Sequence, residues 1–212
     1  THLQTPFVMN GQIMPGDEDR FSFDAEAGQG LVIDVAAREL VPYLADAVPG
    51  WFQAVVAVLD DRGNELAYAD DFLFDPDPAL YLEVPETGKY HIVIRDSIYR
   101  GREDFVYRVS VGELPFVTGI FPLGGKLGSK ASVDLYGWNL PAKRLALDTS
   151  ESGSRTRSAE FESGGYYSNT IRYALGSLPE FSEKEGNDSI RSAGSIKLQS
   201  TLNGLIGEPG DV

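Results

Sequence analysis

The chain has 212 residues, 42% of them apolar and 24% charged, a globular composition long enough for one large or two modest hydrophobic cores. It contains no cysteine, which excludes disulfides, thiolate metal sites and cysteine nucleophiles, and no run of about 18 apolar residues that would span a membrane as a helix. The net charge of −14 is concentrated in residues 1–113, where 21 acidic side chains face 8 basic ones; such a field repels nucleic-acid backbones and suits divalent cations or basic partners.

The predicted elements are β throughout. FVMNGQIMPGDEDRFSF stands near the start, with turns expected at NG and PGD and two aromatic residues of FSF alternating into a core. LVIDVAA, FQAVVAVLD, ELAYADD, ALYLEV, YHIVIRD and DFVYRVSVG follow as short runs rich in Val, Ile, Tyr and Phe, separated by Gly, Pro and Asp clusters. In KYHIVIRD, Tyr90, Ile92 and Ile94 share one face, and Lys89, His91, Val93 and Arg95 the other. VLDDRGNELAY reads as a hairpin with positive φ expected at Gly63 and Asn64. ARELVPYLADAVPG is an excursion that Pro42 and Pro49 keep from being one helix. Strands at this spacing predict a jelly-roll-like β-sandwich over 1–113.

A seam follows GELPFVTG. PFVTGIFPLGGKLGSKASVDLYGWNLP, RLALDT, RTRSAEFE and NTIRYAL predict a small immunoglobulin-like β-sandwich over 114–179. SLPEFSEKEGNDSIRSAG reads as an acidic linker, and STLNGLIGEPGDV repeats the opening phrase NGQIMPGD. The expectation is a piece of a longer modular protein whose segment 180–212 begins a second copy of the first module, ordered only against a neighbour.

Few residues offer chemistry. Glu183, Glu185, Asn187 and Asp188 place four hard oxygen side chains within one short stretch, as calcium prefers. Asp70, Asp71, Asp75 and Asp77 form a second acidic group without EF-hand spacing, readable as a cation loop or as a solvated one. The two histidines, His2 and His91, sit near a terminus and in mid-strand, and no G-x-S-x-G elbow or H-E-x-x-H pattern occurs. Trp51 with Phe52, and Tyr166 with Tyr167 and Trp138, are aromatic residues suited either to a polymer ligand or to a core.

The ordered set NGQIMPGDEDRFSFDAEAGQGLVIDV, AVLDDRGNELAYADD, TGKYHIVIRD and YRGREDFVYRVSVG resembles the bacterial pre-peptidase C-terminal domain, over roughly residues 3–113. PFVTGIFPLGGKLGSKASVDLYGWNLP looks like the opening of an IPT/TIG-type immunoglobulin-like domain, and the terminal segment like the linker and first strand of a second pre-peptidase domain. EKEGNDS is similar to the calcium-binding linker of the collagen-binding domains of clostridial collagenases, relatives of the same family. The resemblance implies calcium as the cation, with Asp211 as a partner in the second copy and Asp17 and Asp19 as the matching positions in the first, where Arg20 replaces an aromatic residue. The implied function is a non-catalytic accessory region of an exported bacterial protein, secreted, periplasmic or on the cell surface. Its partners would be the other domains of its parent and an extracellular polymer or cell-surface component. The alternatives are a specific binder of carbohydrate or collagen-like peptide and, remotely, a hydrolase.

Overall fold

A computed structural model of the chain describes residues 2–41 and 50–207. It is all β, with no helix among the described residues, and divides into two compact units, Thr1–Leu114 and Pro115–Val212.

The described residues of the first unit form nine strands: β1 (His2–Gln4), β2 (Phe7–Gln12), β3 (Glu18–Ala25), β4 (Gly30–Ala36), β5 (Ala54–Asp60), β6 (Glu65–Ala69), β7 (Ala79–Glu83), β8 (Gly88–Asp96) and β9 (Val106–Gly112). They form two sheets, β1-β3-β8-β5-β6 and β2-β9-β4-β7. Period-two alternation fixes the register, because a slip by one residue would turn every core side chain to water. Phe23 lies opposite Tyr90, Phe21 opposite Ile92, and Ile92 and Ile94 opposite Val58 and Val56. In the other sheet Val109 and Val111 pair with Val35 and Ile33, and Ile33 in turn pairs with Leu80 of β7. These side chains form one core. Each fully buried Val, Leu, Ile or Phe contributes about 1.5–3 kcal/mol.

The structure corrects two turn expectations. Asn10-Gly11 is not a turn but lies inside β2, with Gly11 opposite Tyr107 of β9. The fully buried Tyr107 ring occupies the space where a side chain at 11 would stand: an added Cβ would come within 2.3 Å of it. Gly11→Ala is therefore expected to cost about 1–3 kcal/mol through overpacking, less in a Tyr107→Leu background, as measured by denaturant unfolding of the four variants of that cycle. In the β5–β6 hairpin Gly63 has the positive φ (85°) and Asn64 does not. Asn64 instead donates its amide and side chain to Asp60, at 2.8 and 2.7 Å, and the Asp60 carboxylate also caps Arg62. The PGD turn forms as expected, with Gly16 at φ 78° and the Asp17 amide closing onto the Met14 carbonyl at 2.9 Å.

The second unit holds β10 (Phe116–Phe121), β11 (Gly124–Lys126), β12 (Ser132–Trp138), β13 (Arg144–Ala146), β14 (Thr156–Ala159), β15 (Glu162–Ser163), β16 (Tyr166–Tyr167), β17 (Ile171–Gly176), β18 (Glu180–Ser182) and β19 (Thr201–Asn203). Two three-stranded sheets, β10-β12-β13 and β11-β17-β14, enclose Val117, Val133, Leu135, Leu147, Ile171, Tyr173 and Leu175. Asn169 clamps Val117 from both sides, accepting from its amide at 2.7 Å and donating to its carbonyl at 2.9 Å. Arg157 organises the 148–154 loop by donating to the carbonyls of Asp148, Ser150, Ser152 and Ser154. The stretch expected to be wholly linker contains β18, which pairs in parallel with β19.

Candidate functional site

Among the described residues of the first unit the two charged residues with least solvent exposure are Asp77 and Asp96, and both hold loops. Asp77 accepts the backbone amides of Ala37, Arg38 and Glu39, each at 2.8 Å, and its own amide donates to Asp75. Asp96, with no solvent exposure, accepts the amides of Gln53, Ile98 and Arg100 at 3.0–3.1 Å and both Nε and Nη2 of Arg100 at 3.1 Å. Arg100 also reaches the Trp51 carbonyl at 3.0 Å. Burial drives the Asp96 pKa up, but the Arg100 guanidinium and the three amides outweigh it and hold the carboxyl below the ordinary value. Asp34 on β4 has no such compensation. Burial, then the negative charges of Glu39, Asp77 and Asp75, push it up to about 6.

The residues singled out for a cation are scattered. Asp19 accepts the Tyr107 hydroxyl at 2.6 Å, and Asp17 accepts the Glu18 amide at 3.0 Å. Burial, then the bond to Asp19, raises the Tyr107 pKa and keeps its hydroxyl a donor. Asp70, Asp71 and Asp75 are exposed whereas Asp77 is buried, so the four aspartates of that loop do not converge. In the linker Glu183 accepts the Leu205 amide and the Asn187 side-chain amide, the latter at 3.4 Å, while Oδ1 of the Asn187 side chain is buried without a hydrogen-bond partner. Glu185 and Asp188 are exposed, and Asp211 lies outside the described residues. Among the described residues no three carboxylates or histidines stand close enough to share a metal ion. Glu183 and Asn187 are thus a partial fit to the calcium that the sequence resemblance implies.

His91 faces outward from β8, its Nε2 3.5 Å from Asp61. His2 lies between Ser22 (3.4 Å from Nδ1) and Asp24 (3.0 Å from Nε2). These three residue types make a hydrolase triad elsewhere, but His2 on the edge strand β1 and Asp24 on the neighbouring β3 stand half to two-thirds exposed (48% and 65%). A triad needs a sequestered carboxylate to orient its imidazole and an excluded-water site for the oxyanion. An open cleft of about 450 Å³ between Asp60–Arg62 and Pro85–Tyr90 holds carboxylates and Lys89 but neither histidine.

The aromatic residues divide. The Trp51 ring lies beneath the Arg38 guanidinium at 4.5 Å, and Phe52 takes the core alternative, buried and stacked on Phe105 at 5.3 Å. Trp138 stacks on Phe116 at 5.2 Å. Tyr166 and Tyr167 are exposed on the β15–β16 hairpin, whose turn uses two glycines of positive φ, Gly164 and Gly165. Sequence reasoning missed the anchoring roles of Asp77 and Asp96 and the outward display of Leu73, Phe74, Ile98 and Tyr99. A proline on either side of Asp77 was the available signal that its loop is fixed.

The sequence matches no protein-family profile and no curated protein. Its structure is similar to the pre-peptidase C-terminal domain of a collagenase from Bacillus anthracis, at 14% identity and a TM-score of 0.36, over 52% of this chain and 91% of that one. It is also similar to the periplasmic inhibitor of g-type lysozyme, PliG, from Aeromonas hydrophila, at 15% identity and a TM-score of 0.37, over 53% and 95%. A PliG mutant from Escherichia coli has 13% identity and a TM-score of 0.33, over 52% and 96%.

Proposed function

We propose that the chain is a non-catalytic accessory region of an exported protein, a spacer that also presents binding surfaces. The observation that carries this is how the two most buried carboxylates, Asp77 and Asp96, are used. Asp77 and Asp96 are saturated by amides and a guanidinium that fix loops, while both histidines stand on open strand faces. Chemistry requires the opposite arrangement, with a reactive group kept unsatisfied in a closed cleft. The sequence resemblance of residues 3–113 to pre-peptidase C-terminal domains supports the same reading, as do its implied partners, the neighbouring domains of a longer protein. The exposed Tyr166 and Tyr167 favour a second reading, a specific binder of carbohydrate or collagen-like peptide.

One experiment tests both. The chain is incubated with insoluble collagen, peptidoglycan and cellulose, and retention and release of soluble product are followed together. Retention without release is expected, and its loss on substituting both tyrosines by serine would select the second reading. Product release abolished by His91→Ala would overturn the non-catalytic proposal. Calcium stiffening of the linker is part of the proposal, supported by the convergence of Glu183 and Asn187, and needs ligands beyond those two. A rise in melting temperature with calcium, lost in Glu183→Gln, is its measure.

A further inference from the structure

β6 and β8 both run antiparallel to β5, so the connections that follow them, 70–78 and 97–105, leave the first sandwich at the same end. Each carries an apolar tip turned to solvent. Phe72 and Asp75 exchange both backbone hydrogen bonds at 2.9 Å, closing a two-residue turn whose corners are Leu73 (67% exposed) and Phe74 (104%). The second connection presents Ile98 (68%) and Tyr99 (52%).

Neither tip is a slack loop. Leu73 and Tyr99 have positive φ, 58° and 60°, where glycine or asparagine closes a turn without the cost, on the order of 1–2 kcal/mol, that a bulky residue bears. The structure retains that strain because a buried aspartate stands behind each tip: Asp77 tied to Ala37, Arg38 and Glu39, and Asp96 tied to Gln53 and Arg100. Large apolar side chains held outward by such anchors have little conformational freedom left to lose on binding.

Charge decides what meets them. Asp70, Asp71 and Asp75 flank the Leu73-Phe74 corner, residues 1–113 as a whole carry 21 acidic against 8 basic side chains, and Arg38, Arg95, Arg100 and Arg102 are engaged with Trp51, Tyr99, Asp96 and Asp104. An anionic lipid surface is repelled by this field, as is a second copy of the same face. A cationic surface is attracted.

We infer that this end of the first sandwich docks a cationic protein, seating Leu73 and Phe74 in an apolar pocket of that partner while Asp70, Asp71 and Asp75 face its lysines and arginines. This rests on the reading of the chain as a binding region and names the surface that binds. Ile98 and Tyr99 supply the second contact.

The test is to pan a phage-displayed library of random peptides on the full chain and to measure the selected peptides against variants. Enriched sequences are expected to combine arginine or lysine with a large apolar residue. The double variant Leu73→Ser, Phe74→Ser should keep the melting temperature, since both side chains lie in water, and weaken binding by about 30-fold, the loss typical of a hot-spot anchor. Asp70→Asn with Asp71→Asn should weaken it several-fold and flatten its salt dependence.

Acidic or uncharged selected peptides, or affinities untouched by the Leu73/Phe74 variant, overturn the inference. So does binding of phosphatidylcholine–phosphatidylglycerol vesicles, or a concentration-dependent dimer, that this variant abolishes. Peptides lost only in Tyr166→Ser, Tyr167→Ser also overturn it, but leave the binding-region reading standing. No enrichment at all removes this surface, while the polymer assay still decides the non-catalytic reading on its own.

Discussion

Asp96→Ala is expected to destabilise the first unit by about 3–5 kcal/mol, the range for removing one partner of a buried ion pair. The Asp96 carboxylate has no solvent exposure and collects five hydrogen bonds, three from amides and two from Arg100. Its removal leaves the Gln53, Ile98 and Arg100 amides to find other acceptors and strips Arg100 of its counter-charge, each loss carrying the desolvation penalty of the stranded group. Asp96→Asn is no remedy. Both carboxylate oxygens accept donors, so either placement of the asparagine NH₂ sets donor against donor. The pKa of Asp96 is held below its ordinary value, so the stabilisation is fully present above the unfolded-state pKa of about 3.9 and is lost as pH falls through the lower folded value. The gap between wild type and Asp96→Ala in urea unfolding should therefore hold constant from neutral pH to about 5 and narrow in stronger acid. A gap that persisted unchanged in strong acid would mean that the side chain acts by packing and not by charge.

The effect of Asp96 was invisible in the sequence, although the strand that ends on it was plain. YHIVIRD shows the alternation of a half-buried strand, and β8 follows it except at Val93, which is buried although it shares the face of His91 and Arg95. What Asp96 does depends on three amides brought from residues 53, 98 and 100, and a carboxylate's partners are unreadable when they are backbone. Period-two runs of five residues or more became strands for the same reason throughout, because burial of one face enforces the pattern. Strands of two or three residues, such as β1, β11, β15 and β16, carry no period to read.

Local rules failed where tertiary packing overrode them. Asn-Gly is a strong hairpin signal, yet Asn10-Gly11 is extended, since the glycine is needed as a slot for the Tyr107 ring on the next strand. FLF in ADDFLFDPDP, within the stretch read as an acidic loop, is wholly apolar. Its two central corner positions instead face water, because the Phe72–Asp75 bridge reverses the chain within four residues. Apolar character shows that a residue gains by leaving water. Whether it does so in its own core or in a partner's is settled by the backbone.

The Asp34 carboxylate offers the opposite pH behaviour from Asp96. Its pKa is raised from 3.8 to about 6, first by burial and then by Glu39, Asp77 and Asp75, so the folded unit holds a proton there that the unfolded chain has already released. Between these values the native state binds more protons, and stability falls as pH rises. The cost begins near the unfolded value of 3.8, grows through the folded value of about 6, and levels off above it at up to about 3 kcal/mol, from roughly 1.4 kcal/mol per pKa unit. Asp34→Asn removes the titration while keeping the shape. Its stability relative to wild type should rise by that amount between acid and neutral pH, read from urea unfolding or from hydrogen exchange of the β4 and β9 amides. Glu39→Gln should recover a smaller part, by withdrawing one of the three negative neighbours. The acidic end of the sandwich is thus maintained against its own electrostatic repulsion, as expected if that field serves recognition and not stability. A flat difference across this pH range would show Asp34 to be ionised without penalty, and the field around it to be far weaker than Glu39, Asp75 and Asp77 imply.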